Sequence, residues 1–125
     1  MTASQRSATL LSGLLIGAGA AHFAAPRQFD AIVPRSLPGS RRTWTYASGF
    51  AELAVGAAVA VPRTRALGAL AAVGLFTAVF PANVKMAYDW RHRSTRLRAI
   101  AVARLPLQAP LILWALKVSR DARRR

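Results

Sequence analysis

Glu52 is the only glutamate in 125 residues, and it stands inside an apolar stretch, Thr43–Val61, with no other charge between Arg42 and Arg63. A carboxylate within hydrocarbon costs on the order of 3 kcal/mol by insertion scales, so such residues face protein and have a partner. Arg104 is the one arginine inside an apolar segment, which makes it the expected partner. Pairing lowers the cost of burying both charges. The chemistry on offer is recognition of a polar ligand head or relay of a proton. The plainer alternative is a structural ion pair.

Three further residues join this pair. Gln108 follows Arg104 by one helical turn, Asn83 lies in the third apolar segment, and His22 closes the first. In the ligand-binding reading Arg104, Gln108 and Asn83 hydrogen-bond the head, and Glu52 balances Arg104 or handles a proton. In the structural reading Asn83 and Gln108 are interhelical hydrogen-bond glue and His22 is a bonded helix-end residue. Lys85 is expected to snorkel to the surface. A lone histidine near carboxylate and amide does not make a metal site. With no cysteine, the chain holds no disulfide, thiolate metal site, iron–sulfur ligand or thiol redox step of its own. No catalytic residue is assigned, and electron transfer would need a bound cofactor or a partner protein.

The elements that must position these residues are apolar blocks: 7–25, 43–61, 66–88 and 99–117. At about 1.5 Å of rise per residue each crosses a bilayer core of roughly 30 Å. The expectation is all-α: one integral-membrane, antiparallel four-helix bundle over residues 1–125, with a disordered basic tail at 120–125. The first block is expected to be a retained span rather than a cleaved signal peptide, since it has full spanning length. Gly13 and Gly17 form a small-xxx-small pair that lets another helix approach. Gly49 and Gly56 are read as lateral gaps that admit an apolar tail. The connector Pro26–Arg42 holds Pro34, Pro38 and Gly39, so it is not one helix. Within it Phe29, Ile32 and Val33 cover one side of a short turn expected to lie on the bilayer surface, the alternative being a lid. Pro81, Pro106 and Pro110 deprive the carbonyls of Thr77, Val102 and Pro106 of their helical donors.

Antiparallel spans put the first and third connectors on one side. Counted from there, His22 lies about 5 Å deep, Asn83 and Arg104 about 8 Å, and Glu52 and Gln108 about 14 Å. Every strongly polar residue within a span thus falls in one half of the membrane. Trp44, Tyr46, Tyr88 and Trp90 mark the same side as interfacial aromatics. The net charge of +14 is read as arginines meeting lipid phosphates at helix ends, and nucleic acid is not expected as a partner. Nine basic residues on one side against eight on the other leave orientation undecided by charge. The basic tail favours cytoplasmic termini. Oligomeric state is not set by these features.

Several motifs together resemble the DoxX-like family of small bacterial four-helix membrane proteins. They are His22-Phe23, Ile32-Val33-Pro34 with Leu37-Pro38, Ser48-Gly49 with Glu52 and Gly56, Phe80–Ala87, and Arg104-Leu105-Pro106-Leu107-Gln108. The likeness runs from about His22 to Trp114. It implies a multi-pass protein of the bacterial cytoplasmic membrane. By the family's association with a thiosulfate:quinone oxidoreductase and redox-stress complexes, it also implies an accessory subunit with a bound quinone or similar amphiphile and redox-complex partners. The alternatives are a structural or assembly protein whose Glu–Arg pair fixes packing, and a small transporter. The absence of strongly polar residues, a few hydroxyls apart, in the far half of the spans weighs against the transporter.

Overall fold

The computed structural model describes residues 1–33 and 37–124, so Pro34 of the connector motif and Arg125 of the basic tail lie outside the described residues. The described regular elements are all helical: α1 (Ala3–Ala24), α2 (Pro26–Asp30), α3 (Arg41–Ala60), α4 (Arg65–Asp89), α5 (Thr95–Arg104) and α6 (Gln108–Arg123). Their starts follow from local chemistry. Thr2 and Gln5 form a reciprocal capping box at α1, and the Ser40 and Ser94 hydroxyls accept from backbone N–H groups in the first turns of α3 and α5. At the α3–α4 turn Arg65 donates to the carbonyls of Val59 and Ala60 at 2.8 and 2.9 Å, satisfying acceptors that the end of α3 leaves open.

α1 packs along α3, α3 against α4, α4 against α6, and α6 against α1, closing a ring of contacts. Residue numbers rise along one helix as they fall along its neighbour. Ser12 Oγ donates to the Gly56 carbonyl at 2.8 Å, while His22 meets Gly49. Likewise Ser119 Oγ reaches the Ala66 carbonyl at 2.9 Å and Gln108 Nε2 the Phe76 carbonyl at 2.6 Å. The dry core lies at the end that holds the chain termini, built from Ala8, Leu11, Leu15, Val59, Ala69, Ala72, Phe76, Ala115 and Val118.

Among the described residues three stretches are long and apolar enough to cross a membrane: α1, α4, and Thr95–Arg123, which contains α5 and α6. α3, expected as a span, is not among them. Its 20 residues have the length, about 30 Å, but Arg41, Arg42, Glu52 and several hydroxyls lower its mean hydropathy. The last stretch is also not one continuous helix. Pro106 lacks the N–H that Val102 needs, the Leu105 N–H donates to the Val102 carbonyl at 3.2 Å instead, and the chain breaks between Arg104 and Gln108. Val102 therefore keeps a donor after all. Pro110 is harmless in the first turn of α6, where amides have no intrahelical acceptor. The basic tail is ordered as far as it is described, since α6 continues to Arg123.

Glycine acts elsewhere than expected. Gly13 and Gly17 face open space, with no helix against them. Gly49 and Gly56 are no gaps, because α1 covers both. A Cβ on Gly49 would sit 2.6 Å from the His22 Cβ, and one on Gly56 would sit 2.7 Å from Ile16 Cγ1. Overpacking of this kind costs about 1–3 kcal/mol. Gly49→Ala is therefore expected to lower stability by about that amount, read as a lower midpoint of thermal unfolding, whereas Gly13→Ala should leave the midpoint unchanged or raise it.

Candidate functional site

A cavity of about 270 Å³ opens at the end of the ring remote from the dry core. α1 contributes His22, α3 contributes Trp44, Thr45, Ser48 and Glu52, and α4 contributes Ala78, Val79, Ala82 and Asn83 around the proline of its interior. Arg104 enters from the end of α5. Phe29, Ile32, Val33 and Leu37 complete the lining. Those connector side chains turn onto the cavity, which is the lid arrangement rather than a turn resting flat on a surface.

Local structure explains how each polar group arrives there. The Gly49 crossing brings α1 within contact of α3 and sets His22 beside the face that carries Glu52. A carbonyl can only accept, so the His22 Nδ1–H donates to Ala18 O at 2.7 Å, and the ring stacks on Phe29 with centroids 3.8 Å apart. The break at Pro106 leaves Arg104 at the mouth of the α5–α6 junction. There Gln108 holds it, accepting at Oε1 from Arg104 Nη1 at 2.5 Å while its own Nε2 is anchored on Phe76.

The expected Glu52–Arg104 ion pair is not formed. Among the described residues the cationic group within ion-pairing distance of the Glu52 carboxylate is His22, with Nδ1 3.9 Å from Oε2, and Arg104 is not paired with Glu52. Helix register cannot rest on that pair; the bonds that tie the helices are those of Ser12, Gln108 and Ser119 to backbone carbonyls, the first two of them buried. Glu52 Oε2 is buried without a hydrogen-bond partner, and so is the Nδ2 of Asn83, a residue only 6% exposed. An unmade bond on a buried polar atom costs about 1–3 kcal/mol, and more for a charged group. One orphan is an acceptor when ionised and the other a donor. Of the five residues singled out by sequence, His22, Glu52, Asn83 and Arg104 line this cavity, while Gln108 is buried behind it and positions Arg104.

Sequence reasoning passed over the lid's fastening. Asp30, at the end of α2, accepts from Thr45 Oγ1 at 2.6 Å and from Arg42 Nε at 2.9 Å. Trp44 Nε1 donates to the Pro38 carbonyl at 2.7 Å, tying the later part of the connector to the same helix. The available signal was an acidic residue next to Phe29 in a connector otherwise rich in arginine. The Thr45 hydroxyl, followed by Arg42, holds the Asp30 carboxyl below its ordinary value of 3.8 against the opposing effect of desolvation. A depressed folded-state pKa means the fastening is fully present above the unfolded value and is lost as pH falls through the folded one. Amide exchange at Ala31–Val33 is thus expected to stay constant from neutral pH down to about pH 4 after correction for its intrinsic rate, and to accelerate below that. Asp30→Asn should show the faster exchange at neutral pH.

No curated protein and no solved structure matches the chain. One family matches over residues 11–119, nearly the whole ring and every cavity residue named above. The chain belongs to that family, described as Domain of unknown function (DUF8561).

Proposed function

We propose that this protein is an integral-membrane four-helix bundle of the bacterial cytoplasmic membrane, with cytoplasmic termini. In this reading its cavity binds the polar head of a quinone or a similar amphiphile, as an accessory to a redox partner. The membrane part is supported by where the apolar surface lies. Leu10, Phe50, Leu67 and Leu113 are 66%, 70%, 73% and 64% exposed, and at most 33% of any apolar spanning window is buried within the chain. Helices apolar on all sides need a nonaqueous surrounding. α3 joins the other spans by being sheltered. Its polar residues turn inward to the cavity while α1 and α4 cover its flanks. In cells the protein is expected to stay in the membrane pellet after alkaline carbonate extraction; release into the supernatant would remove the membrane reading.

The ligand part rests on one observation: two buried polar atoms without partners, Glu52 Oε2 and Asn83 Nδ2, belong to residues lining a single, largely apolar cavity. A ring carrying an acceptor for Asn83 and a hydroxyl donor for Glu52 satisfies both; a quinol carries both groups, a quinone the acceptor alone. Arg104 adds a charge-assisted donor. The volume lies just below the roughly 300–1,000 Å³ of drug-sized sites, which suits a head group rather than a whole amphiphile. The chain supplies no redox centre, so electrons would come from a partner.

Titration of purified protein with a short-chain quinone and its quinol should raise the unfolding midpoint. Asn83→Leu removes an orphan donor, so its ligand-free midpoint is expected to hold or rise while protection by quinone falls by about tenfold in apparent affinity, the worth of one hydrogen bond to a buried donor. Equal protection of Asn83→Leu, Arg104→Ala and the parent protein would overturn the proposal.

A further inference from the structure

A second cavity, of about 450 Å³, shares Val33 with the first but has a different character. Arg41, Lys85 and Arg93 line it against a single carboxylate, Asp89. That carboxylate is already engaged, with Lys85 Nζ donating to Asp89 Oδ2 at 2.7 Å. Neither Arg41 nor Arg93 has a carboxylate within ion-pairing distance among the described residues. Asp30 feels the charge of Arg41, yet both of its oxygens are held by Thr45 and Arg42. Two guanidinium groups therefore line a cavity with their charge unmatched.

Independent features add to the positive field. Arg41 is the first residue of α3 and so stands at the positive end of that helix. Trp90, the C-terminal cap of α4, forms part of the wall with an amphipathic ring of the kind enriched at membrane–water boundaries. Basic pockets between membrane helices take phospholipid head groups, and arginine forks match phosphate oxygens two at a time.

We propose that Arg41, Arg93 and Lys85 form a phosphate-binding site, occupied by the phosphodiester of an anionic phospholipid or by free phosphate. The lipid source rests on the membrane reading above; the phosphate chemistry does not. Full-length protein is placed in nanodiscs of phosphatidylcholine, or of phosphatidylcholine with a minority of phosphatidylglycerol, and separately in detergent with inorganic phosphate. Unfolding midpoints and lipid retained in native mass spectra are the readouts. Phosphatidylglycerol should raise the midpoint of the parent and stay bound. The double variant Arg41→Gln/Arg93→Gln should retain about tenfold less or lower, given the worth of two interfacial arginines. Arg63→Gln/Arg120→Gln, an equal loss of charge at the opposite end, should behave as the parent. Should the glutamine double variant fold poorly, Arg41→Lys/Arg93→Lys keeps the charge, loses the fork and should still retain less. Protection by inorganic phosphate in detergent that requires Arg41 and Arg93, without a phosphatidylglycerol effect, assigns the site to free phosphate. Retention unchanged in the Arg41/Arg93 variants, or lost equally in the Arg63/Arg120 variant, overturns the proposal.

Discussion

The backbone approach of α1 to α3 is the constraint on which the arrangement turns. With Gly49 against His22 and Gly56 against Ile16, the two helices meet where α3 has no side chain to hold them apart. Such contact is attractive because small residues let many weak dispersion contacts form at once. It also fixes rotation about α3. Glu52 is three residues beyond Gly49 and thus near the same face, so the close crossing brings the carboxylate beside the α1 terminus and His22.

The two ends of the ring divide the labour between them. The end near the termini is a dry core of alanine, leucine, valine and phenylalanine. The other end fills its interior with polar groups, two of which lack partners. Interiors of natural proteins seldom leave buried donors and acceptors unmatched. A fold with so much alanine and leucine at hand could have filled that space with apolar side chains, and it has not done so. Under the proposed reading a ligand head supplies the missing partners at the polar end, while the far end holds the apolar core.

The cavity is bounded on one side by a segment that has little hold of its own. α2 is 5 residues long and buries no side chain fully. It stays over the site through stacking of Phe29 on His22 and through Asp30, which joins α3 by two hydrogen bonds. A short element fastened at a few points opens at lower cost than a long packed helix. Gly49 and Gly56 offer no opening of their own, since α1 covers both.

Much of this was legible in the residues alone. Helix type, the extent of α4 to within one residue at each end, and the gathering of polar residues at one end follow from apolar run lengths and from depth counted at a fixed rise per residue. His22, Glu52, Asn83 and Arg104 could be singled out because polar groups in apolar runs are costly wherever they point. Which partner each group takes was not legible. Arg104 and Glu52 have opposite charges and similar positions along their helices, but position along a helix gives no rotation about its axis, and Pro106 resets that rotation by breaking the last apolar stretch into α5 and α6. Arg104 therefore turns to Gln108, and Glu52 is left beside His22. Residue type likewise suggested a close approach at Gly13 and Gly17 and gaps at Gly49 and Gly56, the reverse of the packing. Only the packed helices decide which glycines meet a neighbour, because contact depends on the side that faces inward and not on the residue type.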